Sequence, residues 1–195
     1  MIFSSDKENI LHCMETERLV LRPWMREDAE VLYKYAKDPA IGPSAGWPVH
    51  TSVRESLDVI SGGALSQPYT YAVVLKETGE PVGSIGLMPG DSSHIGLPED
   101  EGEIGYWVGV PYWGCGLIPE AVREIQRYAF MELGLKKLWC GYFEGNDKSR
   151  RVQEKCGFLY HHTIENAPCA IEGLLQTEHI TCITKERWAD TDHGC

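Results

Sequence analysis

Basic side chains are scarce in this sequence: 18 Lys and Arg stand against 29 Asp and Glu, a formal net charge of −11. Nonspecific nucleic-acid binding runs on phosphate neutralisation, so this balance argues against it and favours the approach of a cationic partner. Long apolar runs are missing too. None approaches the ~18 residues that a membrane span requires, and residues 1–13 lack the basic start and apolar stretch of a secretory signal. The seven cysteines are scattered, with no CxxC pair and no Cys/His cluster at zinc spacing, so neither a disulfide framework nor a metal site is expected. There is no Gly-Lys-Ser/Thr of a Walker loop and no GxGxxG after an early strand. Together these absences predict a soluble, cytoplasmic protein with reduced thiols, no metal, no nucleic acid and no membrane.

What is present suits one α/β domain. The chain has 195 residues, 43% of them hydrophobic and 10% aromatic, enough for a real core and too few for a second domain. Residues 14–188 read as that domain, 1–13 as a dispensable N-terminal extension and 189–195 as a disordered tail. Alternation from Thr16 to Pro23 predicts the first strand. Helical spacing predicts helices over Glu27 to Lys37 and Thr51 to Ile60, the latter capped by Thr51 or Ser52. Extended runs at Tyr69 to Leu75 and Pro81 to Met88 flank a turn, and Pro89 to Asp100 reads as loop. A β-α-β unit follows, with a strand at Glu101 to Val110, a helix at Pro119 to Leu133 and a strand at Lys137 to Tyr142. A short helix at Lys148 to Lys155 and strands near Phe158 to Glu165 and Thr177 to Thr184 complete a mixed sheet.

The most informative stretch is Val108-Gly109-Val110-Pro111-Tyr112-Trp113-Gly114-Cys115-Gly116-Leu117-Ile118-Pro119-Glu120-Ala121. It joins a strand to a helix through glycines that let backbone approach a ligand, at a helix start whose free N–H groups attract anions. A pyrophosphate fits such a place. Pro119 suits the first helical position, where a missing N–H costs nothing.

This loop resembles the coenzyme A loop of GCN5-related N-acetyltransferases (GNAT), Gln/Arg-x-x-Gly-x-Gly/Ala, with Trp113 where Gln or Arg is usual and Ile118 where Gly or Ala is usual. Its Trp-Gly-x-Gly form is similar to the branch that includes ribosomal-protein-alanine N-acetyltransferases of the RimJ/RimL type. Asn146-Asp147-Lys148-Ser149 through Gly157-Phe158 resembles that branch's Asn-x-x-Ser-x-x-x-x-x-x-x-Gly-Phe signature. Glu17-Arg18-Leu19-Val20-Leu21-Arg22-Pro23 and Ile183-Thr184-Lys185-Glu186-Arg187-Trp188 resemble its opening and closing elements, so the likeness spans nearly the whole chain from Met14.

The resemblance implies a mixed, mostly antiparallel sheet of six to seven strands with about four helices and a splay between the fourth and fifth strands. It implies acetyl-CoA as co-substrate and a primary amine as acceptor, either a protein N-terminus or a small molecule such as an amino acid, polyamine or aminoglycoside. The pantetheine arm is then expected along Trp107, Val108 and Val110, and the pyrophosphate at the N–H groups of Gly114, Cys115, Gly116 and Ile118. Lys148, Arg150 or Arg151 is expected at the ribose phosphate. For chemistry, Glu103 is the expected general base, with Glu101 as the competing carboxylate. Asn146 is a candidate to hold the coenzyme amide or the substrate backbone, with a helix cap as the competing role. Ser149 is a candidate to protonate the departing thiolate, with Tyr142 and Tyr160 as competitors. Trp47 and Tyr69 are expected to wall the acceptor cleft. From another class, a catalytically silent acyl-CoA-binding or sensing module is the alternative. Oligomeric state is not legible in the chain.

Overall fold

Two-residue alternation along β3 (Thr70–Leu75) sets the layering of the molecule, which a computed structural model describes over residues 13–192. Tyr71 and Val73 enter one core, while Ala72 and Val74 enter another on the opposite face of the sheet. Before β3 come β1 (Met14–Glu15), β2 (Leu19–Arg22), α1 (Ala29–Ala36) and α2 (Val53–Gly62). After it come β4 (Pro81–Pro89), β5 (Glu101–Val108), α3 (Leu117–Met131), β6 (Lys137–Phe143), α4 (Asp147–Lys155), β7 (Leu159–Pro168), β8 (Leu175–Thr184) and α5 (Lys185–Asp192).

The strands form one sheet in the order β1-β2-β3-β4-β5-β6-β8-β7, antiparallel throughout except for β5 and β6. That parallel pair is joined by α3 as its crossover. The apolar stripe of α3, with Leu117, Ala121, Val122, Ile125 and Ala129, packs on one face with Leu21, Val73, Ile85 and Ile104. On the other face Leu32 and Ala36 of α1 and Ile60 of α2 pack with Trp24, Ala72 and Val74. Each fully buried Leu, Ile or Phe side chain contributes roughly 1.5–3 kcal/mol.

The expected mixed, mostly antiparallel sheet is there, with eight strands among the described residues. The extra one is β1, which pairs Met14 with Leu21 and buries Met14 in the α3-side core. Other boundaries move for local reasons. The strand expected to reach Val110 stops at Val108, because Val110–Tyr112 winds into a 3-10 turn around Pro111. The helix expected from Pro119 begins two residues earlier at Leu117, behind Gly116 in the left-handed region (φ 77°). Pro119 remains within the first turn, where amide donors have no helical acceptor. Residues 189–192 continue α5 rather than fraying, since Trp188 anchors the helix against Phe130 with ring centroids 5.4 Å apart. Residues 1–12 of the expected extension and 193–195 of the expected tail lie outside the described residues. Among the described residues no helix is long and apolar enough to cross a membrane.

Candidate active site

β5 and β6 pair over three positions only, Glu101 with Lys137, Gly102 with Leu138 and Glu103 with Trp139, and then diverge. A gap opens beyond Glu103, and it forms part of a cavity of about 1820 Å³. On the β5 side, the Gly109 amide donates to Val82 O at 2.8 Å. Ladder alternation therefore turns the Trp107 backbone onto β4 and the backbone groups of Tyr106 and Val108 toward the gap. Two of the carbonyls freed by the divergence have found other donors. Trp113 Nε1 donates to Val108 O at 3.0 Å, and Gln153 Nε2 of α4 donates to Gly141 O at 2.9 Å. A wedge held open in this way offers β5 edge groups to an extended ligand without leaving buried carbonyls unpaired.

At one end of the cavity lies the glycine loop. Gly114 and Gly116 both take positive φ (78° and 77°), which only glycine adopts without strain, and Gly116 starts α3. Gly114, Gly116, Leu117 and Ile118 line the cavity at this helix start. The loop is fastened from outside by Arg18, whose Nη1 donates to Cys115 O at 3.0 Å while Nε donates to Glu120 Oε2 at 2.7 Å. Glu120 also accepts from Thr16 Oγ1 at 2.5 Å; burial alone would raise its carboxyl, but the Thr16 and Arg18 contacts together outweigh it and hold the group below its ordinary value. Across the gap, Lys148 Nζ sits 4.1 Å from the centroid of the Trp113 ring.

α4 supplies the next wall. Asn146 caps it, its Oδ1 accepting from the Ser149 amide at 3.2 Å, and its Nδ2 donates to Ser44 O at 3.1 Å in the turn before α2. The Ser149 hydroxyl faces the Tyr106 hydroxyl at 2.9 Å and accepts from Gln153 Nε2 at 3.3 Å. Gln153 is buried and its Oε1 accepts from Thr181 Oγ1 at 2.8 Å, so one polar network ties β5, α4 and β8 together beside the gap. Burial pushes the Tyr106 phenol well above its ordinary value, with the Ser149 and Gln153 contacts acting the other way.

The opposite end is acidic. Glu103 is buried, 5% exposed, and its Oε2 accepts from Ser93 Oγ at 2.7 Å and from His94 Nδ1 at 3.0 Å. The other nitrogen of the same ring, His94 Nε2, lies 3.0 Å from Oε2 of the equally buried Glu178 on β8. Hydrogen bonds to Glu103 first and Glu178 second push the imidazole up to about 10 against the opposing effect of burial. The ring is an imidazolium at neutral pH. Glu101, the competing carboxylate, lines the same cavity, but its carboxylate is engaged by the indole N–H of Trp139 rather than by His94. A buried carboxylate next to the splay, backbone donors at a helix start and an open strand edge between them can hold a thioester carrier and take a proton from a nucleophile.

A family model described as an acetyltransferase (GNAT) domain matches residues 18–159. The chain belongs to the GNAT acetyltransferases. It is 31% identical over 132 residues to the uncharacterized N-acetyltransferase p20 of Bacillus licheniformis, covering 66% of this chain and 71% of that protein. It is 29% identical over 181 residues to the FsC-acetyl coenzyme A-N(2)-transacetylase of Aspergillus fumigatus, covering 90% of this chain and 77% of that protein. Among solved structures, Mycobacterium smegmatis RimJ in complex with CoA-disulfide shares the fold, with a TM-score of 0.71 at 19% identity over 94% of this chain and 96% of that one. This protein is thus an N-acetyltransferase that uses acetyl-CoA.

For this GNAT enzyme, the geometry gathers most of the residues that sequence reasoning singled out. Glu103, Trp107, Val108, Gly114, Gly116, Ile118, Asn146 and Ser149 all line the one cavity. Val110, Cys115 and Arg150 are not among its lining residues. Val110 is wound into the 3-10 turn, and the Cys115 amide donates to Tyr112 O at 3.3 Å. The Arg150 guanidinium pairs with Asp147 at 3.2 Å along the outer side of α4, whereas Lys148 and Arg151 do line the cavity. Trp47 packs edge-on against Trp107 at 5.8 Å and Tyr69 beside Tyr128 at 6.3 Å, so both serve cores rather than the cavity wall. Sequence reasoning missed Leu117 among the lining residues, because it began the helix too late. It also missed Tyr106, His94 and Glu178. The Asn146-x-x-Ser149 spacing points at α4 but carries no sign of the Tyr106 partner, and a lone histidine in a loop carries no pattern.

Proposed function

We propose that this enzyme transfers the acetyl group of acetyl-CoA directly to a primary amine in a ternary complex, with Glu103 accepting the amine proton. The observation that carries this reading is the continuity of the cavity: Gly114, Gly116 and Ile118 line it at one end, and Glu103 lines it at the last position where β5 and β6 pair. The helix-start amides of Gly116, Leu117 and Ile118 would hold the pyrophosphate, with Lys148 or Arg151 near the ribose phosphate. Tyr106 and Val108 would present backbone groups to the pantetheine amides. Glu103 would deprotonate the amine directly or through water. Ser149, backed by the Tyr106 hydroxyl, would donate to the departing sulfur, although a thiol of pKa about 8.5 leaves tolerably well unaided.

The acidic end of the cavity favours an acceptor that arrives as a cation. The roof there is closed by the Ala170 amide donating to Gly46 O at 2.7 Å, which joins the β7–β8 connection to the turn before α2. Names point in two directions, one relative being an FsC-acetyl coenzyme A-N(2)-transacetylase and another a putative ribosomal N-acetyltransferase. Six described cysteines are free thiols, which fits the cytoplasm as the compartment. The scheme uses no metal, and activity lost to a chelator and restored by one particular ion would contradict it.

The deciding experiment is acetyl-CoA turnover against a mixed panel with mass detection: alanyl and seryl peptides, free amino acids, spermidine and an aminoglycoside. Acetylation of one class names the acceptor. Tight coenzyme binding with negligible turnover on every member would instead mark a silent acyl-CoA-binding module.

A further inference from the structure

Two buried carboxylates share one imidazole at the acidic end of the cavity, and each comes from a different part of the chain. Glu103 belongs to β5, Glu178 to β8, and His94 to the connection between β4 and β5. We infer that His94 and Glu178 belong to the proton-accepting centre, His94 coupling the two carboxylates so that the amine's proton enters a three-residue unit rather than Glu103 alone. This rests on the reading of Glu103 as the base.

The geometry argues for a built centre. Both ring nitrogens are in use, Nδ1 at 2.9 Å from Glu103 Oε1 and Nε2 at 3.0 Å from Glu178 Oε2. The ring itself remains half exposed while both carboxylates are buried, and all three residues line the cavity. Burying two carboxylates side by side is costly unless a cation lies between them. Room for Glu178 is made by the backbone of β6. A Cβ at Gly141 would run into the Glu178 carboxylate, lying 2.9 Å from its Cδ, so only glycine there lets Glu178 reach the ring. Ser93 fixes the other side by donating to Glu103 and accepting from the Ile95 amide at 3.2 Å, which shapes the loop that carries His94.

The titratable groups facing His94 are Glu103 from β5 and Glu178 from β8, and His162 of β7 lines the same cavity. Behind the carboxylates stands the Cys140 thiol of β6, which burial first and then Glu103 push well above the ordinary thiol range, so it stays neutral. With His94 cationic and both glutamates as carboxylates, the unit carries one net negative charge and takes up one proton. As the amine nitrogen bonds to the acetyl carbon, its proton passes to a carboxylate oxygen of the unit. The electron pair of the breaking C–S bond leaves with sulfur, which gains a proton in turn, and the unit gives its own proton back to solvent.

The test compares Glu178→Gln and His94→Gln with wild type, using the panel amine of highest turnover. Removing a negative charge weakens the base, so Glu178→Gln should move the acid limb of the kcat profile to lower pH by about one unit. Removing the cation strengthens it, so His94→Gln should move the same limb to higher pH. Both should lower turnover roughly tenfold, with acetyl-CoA affinity unchanged by calorimetry. By NMR, the His94 ring should stay protonated well above neutral pH in wild type and titrate lower in Glu178→Gln. Acid limbs that stay at the wild-type pH in both variants, or a His94 ring that titrates like a free histidine in wild type, would overturn the inference. Should His94→Gln fail to fold, the isosteric Glu178→Gln decides the matter alone. Full activity of Glu103→Gln sinks the base assignment itself, whereas an inactive Glu103→Gln with unmoved limbs in the other two sinks only this inference.

Discussion

The two ends of the cavity between β5 and β6 are made from different material. The end proposed for the coenzyme is made of backbone from one continuous stretch, from the strand edge at Tyr106 and Val108 to the helix-start amides at Ile118. The acidic end is made of side chains from β5, β8 and the β4–β5 connection, and it needs a glycine on β6 to fit together. Backbone donors tolerate changes of side chain, so the enzyme carries Trp113 in its loop and uses the indole to hold Val108 O. Side-chain carboxylates tolerate little. The comparison implies that single substitutions at the acidic end should strike turnover and spare coenzyme affinity, while those in the glycine loop should do the reverse.

The largest expected effect is at Glu103. Glu103→Gln keeps the shape and removes the proposed base, so turnover should fall by roughly 100-fold while acetyl-CoA affinity stays near normal. Raising the pH should partly rescue it, because more of the acceptor amine is then neutral without help. Steady-state rates across a pH series, with calorimetry alongside, check both halves, and unchanged rates would reassign Glu103 to structure. Next in size is Gly116→Val. The space beside Gly116 is adequate, with Arg18 Nη2 at 3.6 Å from a Cβ built there, but a β-branched residue at φ 77° is strained. Strain of about 1–3 kcal/mol at the start of α3 would displace the amides proposed to face the phosphate, and acetyl-CoA affinity should fall roughly 5- to 100-fold. Calorimetry showing normal affinity would move the pyrophosphate away from this loop.

The same contrast explains what the sequence disclosed. A strand, two glycines, a proline in the first turn and an apolar stripe are all written within consecutive residues, so the glycine loop and the β-α-β unit around it were legible. Glu103 was legible because it stands on the strand that feeds that loop. His94 sits in a stretch that reads only as loop, and Glu178 reads as one more strand residue. Nothing local says that they meet through a bridging ring. Asn146 and Ser149 were found by spacing, but their partners Ser44 and Tyr106 lie 102 and 43 residues away, and such contacts appear only once the chain has folded. Residues 189–192, read as part of a disordered tail, continue α5 for a related reason, since Trp188 of that helix packs on Phe130.

Gly141 tests whether the acidic end is separable from the coenzyme end. In Gly141→Ala the new methyl group would displace Glu178 from His94 without touching Glu103. Turnover should drop roughly tenfold and the acid limb should move as in Glu178→Gln, with acetyl-CoA affinity unchanged. A fall in affinity of similar size would show that β6 serves the coenzyme directly, and the clean division between the two ends would be lost.

The smallest effect is one of stability. His94 is held near 10, above the 6.5 of an unfolded histidine, by Glu103 and Glu178. A raised histidine contributes stability that is complete below pH 6.5 and disappears as the pH climbs through the folded value. Thermal stability of the wild type should therefore carry a component that declines between about pH 6.5 and 10. The ring is 45% exposed, so solvent screening cuts the contribution to about 1 kcal/mol, or roughly 2–4 °C in Tm for a protein of this size. Glu178→Gln keeps the other titrating groups and removes one of the two partners of His94. The difference in Tm between wild type and this variant should be largest near pH 6 and shrink toward pH 10. A difference that stays constant across that range would mean that the imidazole is not charged between the two glutamates, and the acidic end would lose the coupling that sets it apart from the coenzyme end.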